Sequence, residues 1–366
     1  MSEKVKIQSY KTLQKLAERL RDDLRSSDFV LLYAYNGTGK TRLSVEFKNR
    51  GKEGDQRDTL YFNAFTEDLF SWDNDLEGDT ERKLKINADS KFFNGFKELA
   101  LEEKIFAFLE RYAEFNFIID YENWTVTFSK GEETNIKVSR GEENIFIWCV
   151  FLAICELRLD DEKNEGPYSW VSFFYIDDPI SSLDDNNAIA VATDLSKLLK
   201  RAKGRIKTVI SSHHSLFFNV MCNELKNFSH ARYFLHRGGT GGYGLQKTDD
   251  TPFFHHVAIL SELKRVSDSG KINTYHFNML RSILEKTATF FGYKDFSDCI
   301  HGVDDEVLYS RALNLLSHGK YSVYEPVEMS RDNKDLFKNI LQAFLEKYRF
   351  ELPELLAEKA RLPNPS

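Results

Sequence analysis

Cysteine is scarce in this chain and does not come in pairs. Cys149, Cys155, Cys222 and Cys299 form no CxxC couple and no metal-ligand spacing, which excludes a disulfide scaffold and a zinc ribbon. No signal peptide is visible, so the thiols are expected to be free in a reducing cytoplasm. Long apolar runs are missing as well: the longest fall well short of the ~20 residues of a membrane span, and no membrane contact is expected. Excess positive charge is also lacking. Fifty Lys and Arg stand against 57 Asp and Glu, for a net charge of −7, which argues against a basic coat for nonspecific nucleic-acid binding but leaves a local basic cleft open. Neither heptads nor internal repeats occur. What is present is length and aromatic bulk. The 366 residues suffice for a large domain and a smaller one, and 42% hydrophobic residues, with 30 Phe and 16 Tyr, can bury a real core.

The organising stretch is VSFFYIDDPISSLDD, residues 171–185. Its apolar, β-branched and aromatic start suits a strand buried on both faces of a parallel sheet. It delivers two adjacent carboxylates, Asp177 and Asp178, where such a strand would emerge. Ligands of open α/β sheets bind outside those carboxyl ends, and nucleotide hydrolases place there the carboxylates that hold magnesium and polarise water. A core strand closed by an Asp-Asp-Pro turn is the plainer alternative.

Upstream, residues 11–25 space Leu13, Leu16, Ala17, Leu20 and Leu24 as an amphipathic helix. Phe29–Tyr35 reads as a buried strand running into Asn36-Gly37-Thr38-Gly39-Lys40-Thr41 and a helix. Strand, glycine loop and helix form the context of a phosphate-binding loop. Glycines let backbone N–H groups close on phosphates, Lys40 adds a charge, and the Thr41 hydroxyl ligates magnesium. Ala34 stands where the motif usually has its first glycine. After a polar loop (51–58) and a strand-like TLYFNAF (59–65) comes TEDLFSWDND, residues 66–75. It is too acidic for a strand and too aromatic for an idle loop, unless Phe70 and Trp72 merely pin it to the surface. Residues 97–112 look helical, and IIDYENWTVTFS and TNIKV suggest two short strands. Ser139, Gly141 and Glu142 then open an apolar helical run, where a hydroxyl and free N–H groups face an anion or simply cap the helix.

Beyond the central strand, Ser181-Ser182-Leu183-Asp184 precedes an amphipathic helix (188–202), and RIKTVISSHHSLFF (205–218) reads as a buried strand carrying Ser212 and His213. Phosphate loop, Ser-x-Gly segment, twin carboxylates, Asp184 loop and His213 stand in the order of the ABC-type ATPases, which the chain therefore resembles. That resemblance implies magnesium held by Thr41 and Asp177, Asp178 as the hydrolytic base, His213 sensing the γ-phosphate, and Ser139, Gly141, Glu142 and Asp184 closing on nucleotide bound by the opposite subunit. Asp178 replaces the usual Glu, no Gln stands clearly at the Q-loop position, and both departures suit a timer more than a fast motor. Only about a hundred residues lie between phosphate loop and signature, which excludes SMC-like coiled-coil arms.

In the C-terminal third a loop, GGTGGYG, follows from Gly238. The segment 275–291 reads as a helix with Phe277, Leu280, Leu284, Ala288 and Phe291 on one apolar stripe. Arg281 and Glu285 sit four apart at its border, an ordinary ion pair on the face of it. A second helix, roughly 304–318, ends in Ser317-His318-Gly319, with Gly319 in the left-handed cap and the dipole favouring a charged His318. Arg, Glu and His together also suffice for metal-free RNA cleavage, with a base for the ribose 2′-hydroxyl, an acid for the leaving oxygen and an arginine for the phosphorane.

YAYNGTGKTRLS, NAFTEDLFSWDND, GEENIFIW, YIDDPISSLDDN, LRSILEKTATFFGY and the late Ser-His resemble the PrrC-type bacterial anticodon nucleases over nearly the whole chain. The resemblance implies an α/β ABC-type P-loop NTPase domain with a regulatory insert (1–245) and a smaller, mainly helical, HEPN-like nuclease domain (246–366). It implies a nuclease triad of Arg281, Glu285 and His318, and cleavage 5′ to the wobble base of a tRNA, typically the lysine one, leaving a 2′,3′-cyclic phosphate and a 5′-hydroxyl. Mg2+ with ATP or GTP is implied as cofactor, with GTP hydrolysis activating and dTTP stabilising. Implied partners are further copies of the chain in a head-to-tail oligomer and a silencing type I restriction–modification complex, released on phage attack. Lys247–His256 falls where the family reads its anticodon but departs from the family's sequence. A RecF-like DNA-repair ATPase without a nuclease is the competing reading. A Toprim nuclease fusion would need a Glu and an Asp-x-Asp cluster after the histidine loop, and no convincing one is present.

Overall fold

The computed structural model describes residues 7–54, 56–63, 69–74, 82–93, 96, 101–180, 185–202, 204–237, 242–248, 254–300 and 329–348. The chain divides into two compact units, residues 10–236 and residues 1–9 with 237–366.

After β1 (Ile7–Tyr10), α1 (Leu13–Ser26) leads into the larger unit. Thr12 caps it, and the five apolar residues expected on one face are all buried. β2 (Phe29–Ala34) follows, buried throughout, then α2 (Lys40–Arg50) and β3 (Thr59–Asn63). Four short strands come next, β4 (Phe70–Asn74), β5 (Arg82–Ile86), β6 (Asn116–Asp120) and β7 (Thr125–Lys130), with α3 (Glu102–Leu109) among them and β8 (Glu133–Thr134) after them. The unit closes with α4 (Arg140–Asp160), β9 (Phe173–Asp177), α5 (Asp185–Ala202), β10 (Lys207–Ser212), α6 (Ser215–Glu224) and β11 (His230–Arg237).

β11, β2, β10, β9 and β3 lie side by side in that order, all parallel. Such strands need both faces covered, and the run of buried Val, Ile, Leu and Phe in β2, β9 and β10 meets that need. The register aligns Ser211 on β10 and Asn63 on β3 with Asp177 on β9, and Ser212 with Tyr33 on β2. The carboxyl ends of three strands thus finish at one edge beside the glycine loop.

A second, antiparallel sheet runs β4-β5-β7-β6, with β8 added to β7. Its first strand corrects the reading of 66–75 as too acidic for a strand. From Phe70 onward the stretch is β4, since Phe70 and Trp72, two apart, share one face: Phe70 packs on Phe93 and Phe146, and Trp72 on Phe128. Alternation outweighed composition. The segment expected as one strand splits into β6 and β7. Asp120 accepts hydrogen bonds from Glu122 N and Asn123 N, and Trp124 turns the chain at φ 53°. Of the strand expected over TNIKV only Thr134 is in a strand, the two-residue β8 (Glu133–Thr134).

Between the sheets lies α4. Trp148 and Phe151 meet Phe62 of β3, while Phe146 meets Phe117 and Phe128 of the antiparallel sheet. A helix wedged between two sheets needs no polar face, and Ile145 through Cys155 are all buried. Each such Phe or Ile contributes roughly 1.5–3 kcal/mol on burial.

The smaller unit contains β12 (Tyr243–Lys247), α7 (Phe254–Ser269), α8 (Thr274–Phe291) and α9 (Arg331–Lys347). Gly292 ends α8 in the left-handed conformation, φ 71°. Phe277, Leu280, Leu284 and Ala288 are buried as expected, with Phe277 edge-on to Phe337 of α9. Phe291, expected on the same stripe, is 51% exposed; it sits in the last turn, where its ring meets those of Phe290, Tyr293 and Tyr348. RIKTVISSHHSLFF is likewise shorter as a strand than expected, because His214 accepts a hydrogen bond from Phe217 N and starts α6. The helix expected over 304–318 lies outside the described residues.

Candidate active site

The glycine loop begins where β2 leaves the core. Gly37 (φ 78°) and Gly39 (φ 110°) take left-handed conformations that a side chain would strain. Gly39 is the N-cap of α2 and supplies no side-chain cap, so the first N–H groups of the helix stay available for an anion. Thr38 N bonds back to Tyr35 O at 3.2 Å. Lys40, only 5% exposed, folds over the loop, donating to Ala34 O (3.0 Å), Tyr35 O (3.3 Å) and Asn36 Oδ1 (3.4 Å).

The twin carboxylates divide their partners. Asp177 accepts from Thr41 Oγ1 at 2.8 Å and from Ser211 Oγ at 2.6 Å. Asp178 pairs with Lys40 Nζ at 3.0 Å and accepts from His213 N at 2.8 Å, with the His213 ring Nδ1 at the same distance. Asp178 stands at φ 47°, unusual for a residue other than glycine. Its own N–H donates to Ser211 O at 2.8 Å, which fixes that turn.

These surroundings drive the two acids apart. Burial, then the charge of Asp178, pushes Asp177 up to about 6. Burial would raise Asp178 too, but the His213 hydrogen bond and the Lys40 charge outweigh it and hold this carboxyl below the usual range. The raised acid is the one bonded to Thr41. Two hard oxygen donors 2.8 Å apart, one of them a carboxylate short of positive partners, fit a magnesium ion. Lys40 and the uncapped start of α2 fit the phosphates that would accompany it.

Ser139 caps α4 in a complete capping box: its Oγ accepts from Glu142 N, and Glu142 Oε2 accepts from Ser139 N at 2.8 Å. That hydrogen bond holds the Glu142 carboxyl below its ordinary range. Gly141 follows in the same turn. One contact here escaped the sequence: Trp72 Nε1 donates to Glu143 Oε2 at 2.8 Å, tying the acidic-aromatic strand to the first turn of α4. Nothing in the spacing of residues 72 and 143 could have signalled it. Asp184 lies outside the described residues.

In the smaller unit Arg281 and Glu285 do meet, Nε to Oε1 at 2.7 Å. The arginine is 19% and the glutamate 49% exposed along the side chain, and the guanidinium lies 5.2 Å from the Phe296 ring centroid. His318, the third member, lies outside the described residues, as do 249–253 of the segment Lys247–His256. Among the described residues no helix is long and apolar enough to cross a membrane.

A family model described as an AAA domain matches residues 97–361, and such a domain implies bound nucleotide with magnesium. The SMC head domain from Thermotoga maritima superposes with a TM-score of 0.32 at 13% identity, over 60% of this chain and 89% of that one; a likeness that low carries no argument. An uncharacterised protein of the SCCmec type IVc chromosomal cassette of Staphylococcus aureus (strain MRSA252) is 30% identical over 44% of this chain and 23% of its own. The anticodon nuclease of Escherichia coli is 33% identical over 91% of this chain and 93% of its own length. At that identity and coverage, with an α/β AAA-type ATPase domain, the chain belongs to the anticodon nuclease family.

Proposed function

We propose that the protein is a nucleotide-gated tRNA anticodon nuclease that acts in phage defence. The observation that carries this reading is the joint occurrence, in a chain of that family, of a built phosphate-loop site and of the Arg281–Glu285 pair on a separate unit. The nucleotide-binding domain is taken as residues 1–245 and the nuclease domain as 246–366.

In the NTPase, Thr41 and Asp177 hold magnesium, which when bound neutralises phosphate charge. Lys40 leaves the loop carbonyls and Asp178 to face the phosphates, since charge-assisted bonds to phosphate outcompete those to carbonyls. Asp178 then keeps His213 alone and can take a proton from water. Ser139, Gly141, Glu142 and Asp184 close on nucleotide bound by a second copy, so the working unit is at least a head-to-tail dimer. GTP hydrolysis activates and dTTP stabilises.

In the nuclease, Arg281 steadies the charge that develops on the phosphate while Glu285 and His318 exchange protons with the 2′-hydroxyl and the leaving 5′-oxygen. The step needs no metal. It cuts 5′ to the wobble base, in the lysine tRNA, leaving a 2′,3′-cyclic phosphate and a 5′-hydroxyl, and a type I restriction–modification complex keeps it silent. The test is to express the protein and sequence the new 5′-hydroxyl RNA ends. A single site in one tRNA's anticodon loop supports the reading; intact tRNA under conditions of full nucleotide hydrolysis rejects it.

A further inference from the structure

A cavity of about 560 Å³ opens between the outer edge of β3 and the antiparallel sheet, within the larger unit. It is not the phosphate-loop site. Its wall includes Lys48 and Lys52, and Lys48 lies about two turns, ~12 Å, along α2 from Lys40. Among the described residues three cations, Lys48, Lys52 and Arg57, line it against one carboxylate, Asp89. Lys48 is held with its ammonium 4.0 Å from the Tyr61 ring centroid. Lys52 and Arg57 are exposed and make no ion pair and no side-chain hydrogen bond among the described residues, and cations gathered along a concave wall concentrate anions there. Aromatic surface faces the same space from Tyr61 and Trp170. Lysines at a helix end need no ligand to explain them, since they offset the dipole. That explanation covers Lys48 and leaves out Arg57, which stands in the loop beyond, and Trp170, which precedes β9.

We infer that this cavity binds a nucleoside phosphate, with Lys52 and Arg57 on the phosphate and Trp170 and Tyr61 against the base. Its volume lies within the range of small-molecule sites, and paired cations with aromatic faces serve a free nucleotide and one unit of an RNA strand alike. The inference holds whether or not the chain cleaves tRNA.

The full chain carrying Lys40→Ala, which disables the phosphate loop, is titrated by calorimetry with ATP, with GTP, and with a synthetic anticodon stem-loop blocked by 2′-deoxy sugars. Adding Lys52→Glu and Arg57→Glu should weaken at least one of these at least tenfold, and Trp170→Ala the same one. Loss in the ATP or GTP arm identifies a free nucleotide as the ligand, and loss in the stem-loop arm alone an RNA strand. In the chain with Lys40 intact the same two changes should remove that binding event and leave nucleotide hydrolysis at the parent rate. Unchanged binding in all arms overturns the inference, and so does a fall in hydrolysis that tracks the fall in binding, because the cations would then serve the phosphate loop.

Discussion

The two candidate centres of this chain are built in opposite ways. At the phosphate loop Lys40 is 5% exposed and Asp178 8%, and each group has two or more partners, supplied by the glycine loop, α2 and the loops that follow β9 and β10. On α8, Arg281 pairs with Glu285, four residues along the same helix, and the glutamate is half exposed. A site at the ends of parallel strands takes its geometry from the sheet, so its acids are pushed from their ordinary range before any ligand arrives. A site on a helix face takes only spacing from its element, and the rest of its chemistry must come from substrate or from another segment. Perturbed acids are thus informative in the first centre.

The largest expected effect tests the buried centre. Lys40→Ala should lower nucleotide hydrolysis by ~10²-fold or more, the scale of removing a preorganised charge, with near-native circular dichroism. A parent rate in a steady-state hydrolysis assay would show that the loop is structural only.

The surface pair comes next. Arg281→Ala and Glu285→Ala should each lower tRNA cleavage by ~10²-fold, while melting temperature hardly moves, because an i,i+4 pair contributes only ~0.3–0.5 kcal/mol. Arg281→Lys keeps the ion pair but loses the planar fork that grips two phosphate oxygens, so it should resemble the alanine variant. Cleavage by nucleotide-activated enzyme should persist after EDTA is added. Cleavage that survives in Arg281→Lys, or ends in a 3′-hydroxyl, would reduce the pair to a helix brace.

A third test sets stability against activity at Asp177. Its folded pKa is raised to about 6 from 3.8, so the native state disfavours its charge. Stability from this group is complete below the unfolded value and is lost as pH rises through about 6, for a total of about 3 kcal/mol. Asp177→Asn should therefore raise the melting temperature at pH 8 in metal-free buffer and change it little at pH 4, while hydrolysis is lost. Equal effects at both pH values would mean that Asp177 is not held against its charge.

The smallest effect concerns the link to the signature helix. Trp72→Phe keeps the ring and removes the donor to Glu143, at a cost of about 1 kcal/mol in denaturant unfolding. If the bond also orients α4 toward a second copy's nucleotide, hydrolysis should become more steeply dependent on protein concentration. Stability equal to that of the parent would mean that the bond contributes nothing to folding.

Local chemistry is what the sequence determined by itself. β2, α2, β9 and β10 follow from apolar runs, glycines and adjacent carboxylates, since a motif short enough to read is one whose residues neighbour each other along the chain. Even the pairing of Arg281 with Glu285 follows from helical spacing. Tertiary structure decided what depends on distant partners. β4 formed in an acidic stretch because Phe70 and Trp72 found Phe146 and Phe128 across the core. The two adjacent aspartates became unlike because Thr41 and Ser211 reach one, and Lys40 and His213 the other. The cations at the edge of β3 became one site only when the sheets enclosed them. Burial and Coulomb energy depend on separation in space, and a sequence specifies separation only over the few residues that one helical turn or one strand can span.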